Sequence, residues 1–503
     1  MNVSKNARQT AALPDAVSDS LALVSMSAVE MAAAIRLRKI SCVELITAHL
    51  QQIERVNPQI NAAVEILAET ALEQARAADQ ALVSGHEPGP LYGVPISIKD
   101  SIYVRGIKTT AGTWGRRDAA PAARDATLVE RLRNAGAIPI AKTNLPDLLF
   151  AYESDNLIYG RTNNPYDLSR TAGGSSGGES ALIAACGSPL GLGSDAAGSV
   201  RIPAAFCGIA SIKPTSGRLS RTGHVPPAGG WIEALWQIGP MARNVDDLIA
   251  AMNILQGEDG EDFTTPPVES FPVKRDRLRI AFFTDNGIAP CSPEIVEAVR
   301  RCATDLSATM EIMEARPPGT EQAYELEMSL LGADGGDGID AYLQSVGSTR
   351  THPLLDAGFL GRMRAYRCTA SELAARWAQW DEYRRGMMQF FRDYDAVLCP
   401  VYTQTALDHG ASVRAGNFEG FSYTMAWNMS GNPAATVRAG ADKNGLPINI
   451  QVVTARWRDS VALEIGRDVE RHTPDGKRGP TTASGKSEQE TRKPEERRRT
   501  AGV

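Results

Sequence analysis

The chain has 503 residues, of which 43% are hydrophobic and 22% are charged, an ordinary composition for a globular protein. This length exceeds that of a typical single domain, so one large core or two fused cores are expected. The formal net charge of −6 offers no basic face for nucleic acid and favours a small-molecule or protein partner. No apolar run approaches the roughly 18 residues of a spanning helix, so no membrane span is expected.

Cysteine and histidine usage argues against disulfides and metals. The seven cysteines are scattered, odd in number and without a CxxC pair, which is typical of reduced thiols in a cytoplasmic protein. The six histidines include no HExxH and no pair at ligand spacing, so we expect no metal. The first ten residues carry positive charge, but no apolar segment of the kind found in signal peptides follows them.

Two capping-box patterns, Ser27-x-x-Glu30 and Ser41-x-x-Glu44, predict the first helices, and the second helix is expected to end at Asn57-Pro58. A third box, Thr127-x-x-Glu130, predicts the start of a short helix that Gly136 closes. Further helices are predicted at 68–82, 244–255, 293–309, 360–391 and 459–470. Strands are predicted at 94–98, 137–141, 278–283, 396–400, 434–437 and 448–453. This alternation indicates an α/β sheet with helices packed on it.

Both ends of the chain differ from this pattern. Residues 1–24 are polar and aperiodic, which predicts a flexible arm. Residues 472–503 contain no Leu, Ile, Met, Phe, Tyr or Trp, so they cannot bury enough surface to offset the entropy of ordering, and we predict a disordered, charged tail. Within the body, the acidic, proline-rich segment 257–272 predicts a loop or a subdomain boundary.

The stretch between residues 173 and 217 is the richest in glycine and serine. Four glycines flank Ser175-Ser176, and a second pair, Gly198-Ser199, follows. Glycines this dense beside serines predict a backbone that turns sharply and comes close to a bound group. Successive N–H groups in such a turn can stabilise an anion. The apolar segments 181–185 and 209–212 argue against a flexible linker. A dinucleotide fingerprint is formally present at 191–196, but Pro203 interrupts the helix it requires, so no cofactor is expected.

Two kinds of serine catalysis are conceivable for this stretch. The pentapeptide 174–178 matches the G-x-S-x-G elbow of α/β-hydrolases, but loop residues precede it where that motif needs a strand, and His224, His352 and His409 have no family-specific context. A neutral lysine can also activate a serine, and Lys99 ends the apolar segment 94–98, where burial would lower its pKa. Spacing alone does not distinguish a catalytic Lys99 from a solvated lysine at the edge of a sheet. Nor does it distinguish catalytic serines from serines that cap a helix or a turn.

Longer motifs decide between these alternatives. The central stretch reads GGSSGGESALIAA at 173–185, GLGSDAAGSVRIPAAFCGI at 191–209 and KPTSGRLS at 213–220. GVPISIKD at 93–100, AKTNLPDL at 141–148, YGRTNNPYD at 159–167 and SGNPAATV…GLPINIQVV near the end complete the set. Together they resemble the amidase signature family of serine hydrolases over roughly residues 27–470.

The resemblance implies an α/β fold with a large mixed β-sheet covered by helices on both faces. The amidase domain would span 25–471, with its signature core at about 90–245 and an additional α/β and helical region at about 258–395. It also implies a Ser–Ser–Lys triad. In this triad Lys99 is the base, Ser199 attacks the amide carbonyl, and Ser175, which a cis peptide bond holds in place, relays the proton between them. The implied oxyanion hole consists of the backbone N–H groups of Ala196, Ala197, Gly198 and Ser199. The residues implied to hold the loops by hydrogen bonds are Ser176, Asp195 and Arg201.

The implied activity is that of an amidase, which converts a small-molecule amide to a carboxylate and ammonia or an amine through an acyl-enzyme. The spelling of 177–199 is closest to members that resemble fatty-acid amide hydrolases, which predicts an apolar acyl or aryl substrate. The aromatic helix near 361–391 is a further candidate for the pocket wall. One departure stands out: the family usually has Gly-Gly before the nucleophile, and this chain has Ala197-Gly198.

Two other functions remain open at this point. The first is the glutaminase subunit of a tRNA-dependent amidotransferase, which belongs to the same family and works inside a complex. The second is a catalytically silent binding protein on this scaffold, which the retention of all three triad positions disfavours. A homodimer is the assembly we would test first.

Overall fold

The computed structural model describes residues 20–227, 234–267 and 277–473, and at its centre lies one mixed sheet of 11 strands. The strands are β1 (Ala63–Ile66), β2 (Pro95–Lys99), β3 (Ile138–Thr143), β4 (Leu190–Asp195), β5 (Ala210–Lys213), β6 (Gln237–Ala242), β7 (Arg279–Phe282), β8 (Glu311–Glu314), β9 (Ala396–Pro400), β10 (Ala434–Ala441) and β11 (Pro447–Thr454). Their order is β1-β3-β2-β4-β6-β5-β10-β11-β9-β7-β8. Each of the six predicted strands is present, with ends shifted by a few residues in most cases.

Helices cover both faces of this sheet. The longer ones are Ser20–Ser25, Ala28–Arg36, Cys42–Ile60, Ala68–Val83, Thr127–Asn134, Gly177–Ala184, Arg201–Cys207, Val245–Leu255, Pro293–Leu306, Ala323–Leu331, Asp337–Ser345, Ala370–Asp393, Ser422–Ser430 and Asp459–His472. Alternate residues of β9 point to different cores, with Leu398 in one apolar cluster and Val397 and Cys399 in another. This alternation places a packed layer on each side of the sheet, as predicted for the fold.

Three predicted helix boundaries are wrong for identifiable reasons. The helix predicted to begin at residue 360 begins at Ala370, because Thr369 caps it with both hydrogen bonds of a capping box, and residues 361–366 form separate short turns. The helix that begins at Cys42 continues through Pro58 to Ile60, because a proline so close to the carboxyl end costs only one hydrogen bond of the last turn. Thr127 does not cap its helix: the N-cap is Ala126, and the Thr127 hydroxyl instead donates to Asp259 at 2.7 Å. The two boxes at Ser27 and Ser41 are confirmed, with both reciprocal hydrogen bonds present.

The predicted ends are only partly described. Residues 20–24 do not belong to an arm, since Ser20–Ser25 is helical and Leu23 and Val24 are buried in the core. Residues 1–19 and 474–503 lie outside the described part of the chain. The described part of the acidic segment, 257–267, is a loop that is fastened to the body, because Asp262 pairs with Arg221 at 3.1 Å.

The order of the sheet brings the sequence motifs together. β2 lies between β3 and β4 and is parallel to both, with Ile98 in register with Leu192 of β4. The carboxyl ends of parallel strands meet at one edge of a sheet. Lys99 at the end of β2 and Asp195 at the end of β4 therefore lie at the same edge, 96 positions apart in the chain but on neighbouring strands.

Candidate active site

Lys99 is a fully buried lysine whose neighbours are hydroxyl and carbonyl oxygens. All five residues of β2 are buried, so the side chain at its end begins inside the protein. The Nζ atom lies 2.7 Å from Ser175 Oγ, 3.1 Å from Ser194 Oγ and 3.4 Å from the Ser194 carbonyl oxygen. Burial lowers the pKa of Lys99 well below its ordinary value, and the fields of Asp195 and Glu179 offset this only in part. The site thus holds a lysine with the environment of a neutral base.

Ser175 lies at a tight turn that glycine makes accessible. The Gly174–Ser175 peptide bond is cis, and a Cβ on Gly174 would lie 2.7 Å from the Ala151 carbonyl oxygen and the Glu153 nitrogen. The neighbouring backbone therefore excludes any side chain at position 174, which explains the GGSS spelling. Ser175 itself is 1% exposed and contributes to the wall of a cleft.

Ser199 lies on the loop that follows β4, partly exposed on the wall of the same cleft. The N–H of Ser176 donates to the Ser199 carbonyl oxygen at 3.1 Å, and the Ser176 hydroxyl lies 3.3 Å from both the N and O atoms of Ser194. These bonds join the two serine segments. The structure thus brings the three predicted triad residues to one cleft, with Ser199 at its surface and Lys99 behind Ser175.

The loop before Ser199 shows why alanine is accepted in place of one glycine. Gly198 has φ +124°, and a Cβ there would overlap the hydroxyl of Thr424. Ala197 is not among the described non-glycine residues with positive φ, and its carbonyl accepts hydrogen bonds from Tyr152 at 2.9 Å and Thr424 at 2.8 Å. The left-handed backbone is thus confined to position 198, where glycine is retained.

The carboxylate of Asp195 fixes the backbone of the loop that contains Ser199. It accepts hydrogen bonds from the backbone N–H groups of Gly198 and Val200, at 2.9 and 3.1 Å. Arg201 pairs with both of its oxygens, at 2.9 and 3.0 Å, and Asn428 donates at 2.9 Å. Although burial raises the pKa of Asp195, Arg201 and Asn428 outweigh it and leave the pKa at about 2. These are the contacts expected of loop-holding residues at 195 and 201.

Besides serines and the Ala196–Ala197 turn, the cleft is lined by large apolar side chains. These are Leu149, Phe150, Trp236, Leu331 and Phe359. Phe150 meets Phe359 edge to face at 6.0 Å, so part of the wall is aromatic. Sequence reasoning missed all five: Leu149 and Phe150 directly follow a motif, which is a usable signal, but Leu331 and Phe359 lie far from any motif.

The predicted aromatic helix does not contribute to this wall. In Ala370–Asp393 the buried Trp380 and Tyr383 donate to the carbonyl oxygens of Met429 and Ala426, at 2.7 and 2.9 Å. Both side chains thus pack the helix against Ser422–Ser430. The aromatic stripe is part of a core, as helical aromatic stripes commonly are.

The three candidate histidines are dispersed. His409 lies 3.2 Å from the Leu168 carbonyl oxygen, and His352 lies 3.5 Å from Asp155. His224 is buried beside Ser194, whose hydroxyl is 3.0 Å from its Nε2. No group of three or more His, Cys, Asp or Glu suited to a metal occurs within the described ranges.

Comparison with known proteins identifies the fold and the motifs. The sequence model of the family described as Amidase matches residues 44–463, which is most of the chain. The chain belongs to the amidase signature family. It is an amide-hydrolysing enzyme, and its sheet and flanking helices are those of solved members of the family.

Three relatives illustrate the range of this similarity. Fatty-acid amide hydrolase 2-A of Danio rerio is 31% identical over 484 residues, covering 89% of each chain. A glutamyl-tRNA(Gln) amidotransferase subunit of Carboxydothermus hydrogenoformans is 31% identical over 489 residues, which cover 90% of this chain and 98% of that one. The solved structure of 6-aminohexanoate cyclic dimer hydrolase complexed with substrate has a TM-score of 0.82 and 27% identity, and the match covers 92% of this chain and 99% of that one.

Proposed function

We propose that this amidase hydrolyses an amide with an uncharged apolar acyl or aryl group, using Ser199 as nucleophile and Lys99 as base through Ser175. The observation that carries the proposal is the 2.7 Å contact between the buried Lys99 Nζ and Ser175 Oγ, behind a cleft that also exposes Ser199. A lysine that is neutral when it acts can accept a proton that a charged lysine cannot.

The proton moves in two linked transfers. Lys99 accepts the proton of Ser175 while Ser175 accepts that of Ser199, and the Ser199 oxygen forms a bond with the amide carbon. As the C–N bond breaks, the same relay returns the proton to the leaving nitrogen, because an amide anion leaves poorly. Water then attacks the acyl-enzyme by the same route, releasing the carboxylate and the free Ser199 hydroxyl.

Negative charge on the carbonyl oxygen would be held by the turn before the nucleophile. The N–H groups of Ala196, Ala197 and Ser199 donate to no acceptor among the described residues. The N–H of Gly198 already donates to Asp195 at 2.9 Å, so we remove it from the predicted set of donors. Each preorganised donor of this kind is worth about 10²–10³ in rate.

The lining of the cleft supports the substrate class. None of the lining residues within the described ranges carries a charge, and five of them are large and apolar. Free glutamine brings an ammonium and a carboxylate, which need charged or strongly polar partners when they are removed from water. We therefore prefer hydrophobic amides, such as those named for the Danio rerio relative, to the glutamine of an amidotransferase.

Two measurements test this function. Purified chain is supplied with a panel of alkyl and aryl amides and with glutamine, and Ser199 is probed separately with a fluorophosphonate. We expect hydrophobic amides to be hydrolysed and Ser199→Ala to abolish both hydrolysis and labelling. Ser180→Ala is the matched control, since the buried Ser180 hydroxyl has no partner among the described residues. Hydrolysis of glutamine alone, or labelling that survives Ser199→Ala, would contradict the proposal.

Location and assembly enter as proposals of the same kind. All seven cysteines are free, which supports a reducing, cytoplasmic environment. The helices of residues 20–227, 234–267 and 277–473 include none with the length and apolar character needed to cross a bilayer. A homodimer would be seen directly as the mass of the purified chain in solution.

A further inference from the structure

A second buried side chain extends the hydrogen-bond chain behind Lys99. His224 is 3% exposed, with Nε2 3.0 Å from Ser194 Oγ and Nδ1 3.1 Å from the Pro226 carbonyl oxygen. Its segment is fastened to the residues that directly follow Lys99. His224 forms an antiparallel bridge with Ile102, and the Val225 N–H donates to the Ser101 carbonyl at 2.7 Å. The ring is thus held in a defined position relative to the lysine.

The partners of the ring assign its protons. A carbonyl oxygen can only accept, so Nδ1, which faces Pro226, carries a proton. Burial lowers the pKa of His224 to about 3, and the hydrogen bond to the Pro226 carbonyl offsets this only in part, so the ring is neutral. Nε2 of a neutral ring that is protonated at Nδ1 is an acceptor. The Ser194 hydroxyl therefore donates its proton to His224 and offers only lone pairs to Lys99.

Counting the protons of Lys99 then gives the direction of its contacts. A neutral amine has two N–H groups and one lone pair, and Nζ has three oxygen neighbours within the described ranges. The Ser194 carbonyl can only accept, and the Ser194 hydroxyl has already given its proton to His224. Both N–H groups therefore point to Ser194. The lone pair is left for the hydroxyl of Ser175.

We propose that His224 is a positioning residue for the base: by taking the proton of Ser194, it turns the lone pair of Lys99 toward Ser175. This inference rests on the proposed triad and adds to it a residue outside the three. Without an acceptor at Nε2, the Ser194 hydroxyl is free to donate to Lys99. It then competes with Ser175 for the one lone pair, and the relay begins from the wrong partner.

Two isosteric variants separate this role from simple packing. In His224→Asn the side-chain amide can still reach Pro226, but nothing replaces Nε2. In His224→Gln the amide oxygen reaches the position of Nε2 and can accept from Ser194. The measured quantity is the rate constant with which a fluorophosphonate labels Ser199, because it requires the base but no knowledge of the substrate. Thermal unfolding of each variant is recorded in parallel.

We expect His224→Asn to lower the labelling rate by about 10- to 100-fold, a fraction of what general-base catalysis contributes. His224→Gln should retain most of the wild-type rate. The double variant His224→Asn with Ser194→Ala is the decisive one. Because Ser194→Ala removes the competing hydroxyl, the double variant should label as fast as Ser194→Ala alone. Ser194→Ala should therefore reverse part of the loss that His224→Asn causes.

The outcomes distinguish this inference from the proposed triad. Labelling that requires neither Ser199 nor Lys99 counts against the triad. If labelling requires both residues, three results would overturn the role of His224 and leave the triad standing. These are a labelling rate that His224→Asn does not change, equal reductions by His224→Asn and His224→Gln, and additive losses in the double variant. If His224→Asn fails to fold, nitrogen-15 NMR of the wild-type histidines decides: a neutral His224 ring protonated at Nδ1 supports the inference, and the Nε2–H or cationic form overturns it.

Discussion

Lys99 and Lys142 lie on neighbouring strands and are equally buried, but in the part of the chain that the structure describes only Lys142 forms an ion pair with a carboxylate. Lys142 Nζ lies 3.0 Å from Asp100, whereas Lys99 is surrounded by the oxygens of Ser175 and Ser194. Asp100 stabilises the charged form of Lys142, since an opposite charge at this distance offsets part of the cost of burial. The same residue type is thus an ion-pair partner on one strand and, in the proposed mechanism, the base on the next.

Substituting each lysine by methionine tests this division. Lys99→Met should lower kcat/KM for an apolar amide by at least about 10³-fold, in line with the loss of other catalytic groups, with little loss of stability. Lys142→Met should lower the free energy of unfolding by about 3–5 kcal/mol, because it leaves Asp100 buried without its cation. It should keep kcat when assayed below its unfolding temperature. Equal losses of activity in the two variants would contradict the assignment.

The pH dependence of the reaction follows from the lowered pKa of Lys99. The base acts only when neutral, so kcat/KM should rise with pH through the pKa of Lys99 and level off above it. Because that pKa lies well below the ordinary lysine value, the plateau should be reached well before about pH 10. The profile is measured with a neutral amide so that the substrate does not titrate. An activity that continues to rise up to about pH 10.5 would show that Lys99 is not neutralised by burial.

The loop before Ser199 gives a matched pair of variants. Gly198→Ala should cost about 1–3 kcal/mol in backbone strain and should displace Thr424, so we expect a large loss of activity. Ala197→Gly should keep most of the activity and cost less than about 1 kcal/mol of stability, mainly through the entropy of the unfolded chain. Turnover and denaturant unfolding are measured for both. If the two variants lose activity to the same extent, left-handed backbone at position 198 does not explain the glycine there.

Asp195 is expected to carry much of the stability of this loop. Asp195→Asn leaves Arg201 buried without its carboxylate counter-charge and should lower the free energy of unfolding by about 3–5 kcal/mol at pH 7. The pKa of Asp195 is depressed in the folded state to about 2, so its contribution is present above the unfolded value and is lost as pH falls from about 4 toward 2. Asp246→Asn, which removes an exposed pair with Arg467, should change stability by less than about 1 kcal/mol.

Glu327 should give the opposite pH dependence. Neither of its oxygens has a partner among the described residues, and burial raises its pKa well above the ordinary value. Unfolding therefore releases a proton once the pH exceeds the unfolded pKa of about 4.3, and stability declines as pH rises until Glu327 ionises in the folded state. Glu327→Gln should remove this decline and raise stability at pH 7. Glu325→Gln, on the exposed face of the same helix, is the matched control for replacing a carboxylate by an amide.

The parts of the site that were predictable are those encoded locally. Lys99, Ser175 and Ser199 each lie inside a short motif whose glycines and flanking apolar residues fix the backbone around them. Phe359 and Leu331 carry no such signal, because their place in the cleft depends on how the helices of residues 323–391 pack against distant segments. The prediction for Thr127 fails for a similar reason: Asp259, 132 positions away, binds its hydroxyl.

The burial of Lys99 also makes its chemistry conditional on access. A neutral amine is a far better nucleophile than the charged lysines of the surface, yet this one is covered by Ser175 and Ser194. Amine-directed reagents too large for the cleft should spare Lys99 in the native protein while they modify exposed lysines. Modification of Lys99, followed by mass spectrometry, should therefore proceed at the rate at which this edge of the sheet opens, which makes this lysine a built-in reporter of local unfolding.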